Sequence, residues 1–343
     1  MRKPARTVTT ILSFAFLFCP VLANTQERDF DAWLDALKQE ASDSGISAET
    51  IELAFSEITP PVQRIISNDR AQPERVQTYA DYLNARVSDW KIENGKRRME
   101  DYDDLLTEVG ARYGVQPRFI VAFWGMETNF GTYPIKEPLF NVLATLAFDN
   151  RRADFFRAQF LAALEMLDSG FPTYEQMTSS WAGAMGQSQF IPQSYLRYAV
   201  DHDGDGRRDI WNTEADVFAS IANYIKARGW RDDLTWGRPV KIPAGSEEQL
   251  QTASAGKVSA PSNCSRYSSM GVWRDLQQWQ ALGVRKADGS DLPTRSVPAA
   301  IVYGDRGDDE AYIVYANFCG IMAYNPALKY ALSIGLLSDL IVP

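Results

Sequence analysis

The chain has 343 residues, enough for one large domain or two joined ones, and its 45% hydrophobic and 23% charged content is ordinary for a globular protein. A net charge of -9 excludes the electrostatic footprint of a nucleic-acid binder and gives no attraction to an anionic membrane surface. A carbohydrate partner would be held by aromatic faces and hydrogen bonds, and 9 Trp and 15 Tyr can supply them.

Residues 1–23 read as a signal peptide. Arg2, Lys3 and Arg6 make the positive start, Ile11 to Phe18 the apolar run, and Val21-Leu22-Ala23 a cleavage site. The run is too short to anchor in a bilayer. Cys19 could start a lipid-anchored product, but Phe16-Leu17-Phe18 is too bulky for that signal, so a soluble periplasmic protein is expected. Removal of the signal leaves Cys264 and Cys319, which are either a disulfide or two buried thiols; the sequence leaves both open.

Residues 24–100 read as an N-terminal helical region. Trp33, Leu34 and Leu37 have helical spacing, and Ser47 reads as an N-cap with Ile46 and Ile51 stapling the entry. Pro60-Pro61 breaks the chain, and a further helix carries Tyr79, Tyr82 and Leu83. Residues 101–237 form a second helical region. Leu105, Leu106 and Val109 mark a helix ending near Gly114. Pro117 then opens the segment Phe119 to Met126, apolar on nearly every face and therefore buried, with Gly131 placed to end it. Helical spacing continues over Phe155 to Leu167, Gln189 to Val200 and Val217 to Ala227. After Trp236 the texture changes. Residues 238–310 are rich in Pro and Gly, with β-prone runs at Pro298 to Tyr303 and Ala311 to Tyr315 and a polar surface loop from Ser246 to Ser268. Residues 311–343 close the chain with a helix, Pro326 to Leu337. The expected fold is mainly α, with a small mixed α/β module near the C-terminus.

His202 is the one histidine, so no multi-histidine zinc site can be built, and a Ser-His-Asp triad would need His202 as its base. No P-loop or dinucleotide fingerprint is present. Acid–base chemistry must rest on Asp, Glu, Lys or Tyr. Glu127 stands near the C-terminal end of the apolar helix, where burial and the negative end of the helix dipole would both raise its pKa. The alternative is a glutamate at a helix end turned into water.

Met126-Glu127-Thr128-Asn129-Phe130-Gly131 resembles the catalytic motif of B-type lytic murein transglycosylases, as do Tyr113-Gly114-Val115 and Pro117 before it. The run from Trp181 to Pro192 resembles the second signature of that family, and Asn223-Tyr224, Gly229-Trp230, Asn317-Phe318 and Tyr324-Asn325 extend the match. The resemblance implies a lysozyme-like helical core and non-hydrolytic cleavage of the β-1,4 bond between N-acetylmuramic acid and N-acetylglucosamine in peptidoglycan strands, giving 1,6-anhydromuramoyl products. It implies Glu127 as acid and then base, Gln189 facing the sugar, and substrate contacts from Tyr82, Ser180, Tyr224, Tyr324, Asn325 and Tyr330. Ala323 stands where the family usually has Arg. Cell-wall synthesis or remodelling proteins are the implied protein partners.

Asp201, Asp203, Asp205 and Asp209 place oxygen ligands at alternate positions, with Gly206 at the sharp turn and the Arg207 carbonyl between, as in an EF-hand loop. Asn212 takes the place of the closing Glu; by the family resemblance Asp216 closes the loop instead. The reading is a structural Ca²⁺ site within 201–216, against a solvated acidic turn, with His202 exposed beside it. No organic cofactor is implied. A non-catalytic peptidoglycan-binding protein, a hydrolytic muramidase and a calcium-dependent scaffold are the competing functions.

Overall fold

The apolar segment after Pro117 forms the helix Pro117–Thr128, with Phe119 through Met126 all buried. Pro117 sits at its first turn, where a missing N–H loses no hydrogen bond. The computed structural model describes residues 29–342 apart from 72–76, 253–255, 268–269 and 305–310; the export segment and Cys19 lie outside the described residues, as does part of the Ser246 to Ser268 segment. Helices Asp89–Asp101, Asp103–Tyr113, Glu214–Ala227 and Leu328–Leu340 pack around the central one. A second layer pairs Leu139–Phe148 with Ala153–Asp168, flanked by Ala48–Phe55, Gln63–Arg70 and Pro192–Tyr198. The Ser47 hydroxyl caps its helix by accepting from Thr50 N at 3.2 Å, and Gly114 ends Asp103–Tyr113 in the left-handed conformation.

A two-stranded pair, β1 (Glu137–Pro138) with β2 (Thr178–Ser179), sits beside the helices. A five-stranded antiparallel sheet holds β3 (Gly237–Lys241), β4 (Trp273–Asp275), β5 (Arg285–Lys286), β6 (Pro298–Tyr303) and β7 (Ala311–Val314) in the order β4-β6-β7-β3-β5. Strand side chains alternate faces, and here both faces are covered. Ala300, Val302, Tyr312 and Val314 join the main core. Ala299, Ile301, Ala311 and Ile313 face a second, smaller core with Leu250, Leu276 and Trp279. The sheet thus joins a helical body to a small module, in a fold that is mainly α as expected.

From β7 the chain re-enters the main core. Tyr315 N bonds to Trp236 O at 2.9 Å, and helices Ala316–Tyr324 and Leu328–Leu340 follow. Gly335 lies flat on Trp236; a Cβ there would stand 2.3 Å from the indole. Cys264 and Cys319 form a disulfide with Cα atoms 5.2 Å apart, which decides between the two readings of the pair.

Four expectations need correction. The helix expected from Gln189 starts at Pro192, because Gln189 takes φ +51° inside a turn. The last helix starts at Leu328, because the Asn325 carboxamide accepts from Ala327 N at 3.0 Å and holds a turn. The Ser246 to Ser268 segment is not all loop: Glu247–Thr252 is helical, since Leu250 has the second core to fill. His202 is not exposed; its side chain is 4% accessible, packed between Glu108 and Arg112. Among the described residues no helix is long and apolar enough to cross a membrane.

The disulfide closes a separation of 55 residues. Its chain-entropy contribution is about 4 kcal/mol. Replacing both cysteines by alanine should lower the unfolding free energy accordingly and raise m, because the unlinked unfolded chain is more open; an unaltered free energy and midpoint would show that the link adds nothing.

Candidate active site

Glu127 is the penultimate residue of Pro117–Thr128 and is half-buried. Asn129, Phe130 and Gly131 follow at φ 50°, 62° and 75°. Non-glycine residues rarely hold such angles, and side chains pin the turn. The Thr128 hydroxyl donates to the Gln187 carbonyl at 3.1 Å and accepts from Gly131 N at 3.1 Å. The Gln187 carboxamide accepts from Trp124 Nε1 at 2.7 Å and donates to Trp211 O at 3.0 Å. A Cβ on Gly131 would meet that carboxamide at 2.3 Å, so only glycine fits.

The Tyr330 hydroxyl donates to Glu127 Oε1. Burial, then the Glu127 charge, hold the phenols of Tyr330 and Tyr324 well above their ordinary range, so both remain hydroxyls. Lys91 is 4% exposed on the neighbouring helix Asp89–Asp101. Burial and the Arg86 charge push its ammonium down to about 8, while Glu127 pulls it up.

Glu127 opens onto a groove of about 820 Å³ lined by Trp181, Gln189, Tyr324, Asn325 and Lys329 among others; Glu127 is the one carboxylate among the described residues lining it. A second lobe of about 970 Å³ shares Gln189 and Tyr324 with the first. The Gln189 carboxamide donates to the carbonyls of Gly186 at 3.0 Å and Ala184 at 3.3 Å, leaving its oxygen to accept. Tyr324 donates to Ser188 O at 2.5 Å and Tyr224 to Ala323 O at 2.7 Å. Their rings meet at 4.8 Å, continuing to Tyr198 at 4.9 Å.

Of the expected substrate contacts, Gln189, Tyr224, Tyr324 and Asn325 line the grooves, and Tyr330 stands behind Glu127. Tyr82 and Ser180 are not among the lining residues. Tyr82 is 1% exposed and bears on Tyr330 from within the core. The Ser180 hydroxyl accepts from Ala182 N and Ala184 N, at 3.4 and 3.3 Å, and so shapes the turn before Gln189.

In the acidic loop, oxygens of Asp201, Asp203 and Asp205 lie within 4.8 Å of one another. Asp201 accepts from Gly204 N at 2.8 Å and Gly206 N at 2.9 Å, and Arg207 N donates to Asp205 at 2.8 Å. Asp216 is buried and accepts from His202 N and Asp209 N, both at 2.7 Å, while Asp209 accepts from Trp211 N at 2.9 Å and Asn212 N at 3.0 Å. The hard-oxygen donor set fits a calcium ion; three carboxylates converge, and Asp209 and Asp216 brace the loop.

The Transglycosylase SLT domain family matches residues 29–339. The chain belongs to this family. It is 39% identical over 150 residues to membrane-bound lytic murein transglycosylase B of Escherichia coli, a match covering 43% of this chain and 41% of that protein. SltB3 of Pseudomonas aeruginosa, solved in complex with NAG-anhNAM-pentapeptide, aligns at TM-score 0.81 and 38% identity over 91% of this chain and 79% of its own. SltB1 of the same organism aligns at 0.73 and 29% identity, over 90% and 98%. E. coli Slt35, solved in complex with calcium, shares the fold at 0.73 and 24% identity, over 90% and 92%.

Family motifs had pointed to Glu127 and its ring of tyrosines. Two supporting residues were missed. Gln187 lies inside the second signature but was given no role of its own, and Lys91 lies on a helix that reads as charged surface.

Lys91 carries a pH prediction. Its lowered pKa means that between about 8 and 10.5 the folded chain binds fewer protons than the unfolded one. The charged lysine therefore destabilises the fold fully below about 8, and the penalty fades as pH rises toward 10.5. Lys91→Met should raise stability at pH 7 by roughly 3 kcal/mol at most, with the gap closing by pH 10. Denaturation at both pH values checks this; a gap independent of pH contradicts it.

Proposed function

We propose that this chain is a lytic transglycosylase of peptidoglycan, cleaving the β-1,4 MurNAc–GlcNAc bond without water. The protonated Glu127 carboxyl gives its proton to the bridging oxygen as the C1–O bond breaks, leaving an oxocarbenium-like muramyl C1. The Glu127 carboxylate then takes the proton from the muramyl C6 hydroxyl, O6 closes on C1, and the carboxyl is restored. Nothing is consumed but the glycosidic bond. The observation that carries this reading is that Glu127 is the one carboxylate among the described residues lining a sugar-sized groove. Glycosidases that use water place a second carboxylate across the bond; Glu165, in the neighbouring lobe, is exposed on helix Ala153–Asp168. Gln189, Tyr224, Tyr324 and Asn325 would contact the strand, while Tyr82, Ser180 and Tyr330 would hold the site in shape.

Glu127→Gln should lower turnover of purified peptidoglycan roughly 10³-fold, the scale of a general acid–base group. Wild-type products should be one water lighter than reducing-end sugars by mass spectrometry. A reducing end would mean a muramidase, and full activity in Glu127→Gln would remove Glu127 from the reaction.

The name of the E. coli relative and the leader-like residues 1–23 support export to the periplasm. A structural calcium ion would be held by Asp201, Asp203, Asp205 and the Arg207 carbonyl, with Asp209 and Asp216 behind them. At a calcium concentration 100 times Kd the ion would stabilise the fold by about 2.7 kcal/mol. Chelation should lower Tm and added calcium restore it, with Asp203→Asn indifferent to both; a wild-type Tm blind to calcium refutes the site.

A further inference from the structure

Two glutamines in one short run face opposite ways. Gln189 lines the groove that holds Glu127, while Gln187 is 9% exposed and does not line it. Gln187 reaches inward, to the helix that carries Glu127. Its backbone is fixed first: Gln187 N donates to Ile210 O at 2.7 Å, and a Cβ on Gly186 would stand 2.6 Å from that same oxygen, so the run lies pressed against the acidic loop. Of the three residues at positive φ after Thr128, Asn129 and Phe130 carry side chains. Such backbone persists only where its surroundings hold it, and it gathers at functional sites. Phe130 is buried and folds back on the helix, so close that a Cβ on Gly125 would meet its ring at 2.5 Å. Thr128, 1% exposed, completes the hold, because its one hydroxyl bonds both Gln187 O and Gly131 N. Of the helix end and the turn, Glu127 alone faces the groove.

We propose that Gln187 and Thr128 are positioning residues of the reaction: together they hold the end of the helix, and thereby the Glu127 carboxyl, where it can serve two oxygens of the strand in succession. The inference rests on the reaction proposed above. There one carboxyl gives a proton to the bridging oxygen and takes one from O6, so its place must suit both atoms, and an error of about 1 Å in such a group costs roughly 100-fold in rate. The Gln187 carboxamide bonds Trp124 Nε1 at 2.7 Å, on the turn before Glu127, and the Gln187 carbonyl bonds Thr128, the residue after it. The two contacts bracket Glu127 along the helix. Neither Gln187 nor Thr128 lines the groove, so their loss slows turnover and leaves strand binding as it was.

The test separates turnover from binding. Soluble glycan strands give kcat and KM for each variant, and the same strands give affinity when the variant is placed in a Glu127→Gln background. Gln187→Met and Thr128→Val should each lower kcat roughly 10- to 100-fold with KM and affinity unchanged. Thr128→Ser keeps the hydroxyl and should retain most of the wild-type kcat. Gln187→Met should also move the indole N–H signal of Trp124 in nuclear magnetic resonance, because that hydrogen bond is lost. Thermal melts confirm folding, and if Gln187→Met does not fold, the comparison of Thr128→Val with Thr128→Ser decides. A wild-type kcat in folded Gln187→Met or Thr128→Val, equal falls of kcat and affinity, an unmoved Trp124 signal, or a Thr128→Ser as slow as Thr128→Val overturns the proposal. Absence of anhydro products from the wild-type protein would fall on the reaction instead.

Discussion

The site depends on how one helix ends. After Arg118, Pro117–Thr128 is apolar on every side from Phe119 to Met126, so that stretch can only be buried, and Glu127 in its last turn is the next charged side chain. Three successive residues at positive φ turn the chain back immediately after it. Gln187 makes that turn tolerable by bonding Trp124 inside the helix, Trp211 within the acidic loop and, through its carbonyl, Thr128. One residue therefore ties the end of the helix that carries Glu127 to the acidic loop.

The small sheet module bears on the site at a distance. Because both faces of β6 and β7 are buried, the sheet cannot shift without disturbing two cores. The chain leaves β7 directly into Ala316–Tyr324 and Leu328–Leu340, which carry Tyr324 and Tyr330 to Glu127. The Cys264–Cys319 link and the contact of Gly335 with Trp236 anchor those helices at other points.

What the sequence made legible divides along physical lines. Period and punctuation located the buried helix, the Ser47 cap and the runs that became β6 and β7, since local forces decide them. The burial of Glu247–Thr252 against the second core, of the His202 side chain against Asp103–Tyr113 and of Lys91 beside Glu127 comes from partners far along the chain. The helix Asp89–Asp101 has the composition of a solvated surface, and nothing in its spacing marks one lysine as enclosed. Glu127 itself was ambiguous by periodicity, and only the family resemblance of the motif around it favoured a catalytic role; that Thr128 and Gly131 of this motif meet Gln187 of the second signature is seen only in the fold. Tyr82 matched a family position by type, yet its depth depends on how the helix Tyr79–Arg86 packs against Leu328–Leu340.

The proposed reaction asks Glu127 both to give and to take the same proton. The structure offers a phenol. The Tyr330 hydroxyl donates a hydrogen bond to Glu127 Oε1 without adding charge. The phenol cannot compete for the proton, because burial and the carboxylate together keep it from ionising. Lys91 supplies a cation whose own ammonium is weakened by enclosure. In the proposed reaction the proton therefore moves on and off the Glu127 carboxyl and not the Tyr330 phenol.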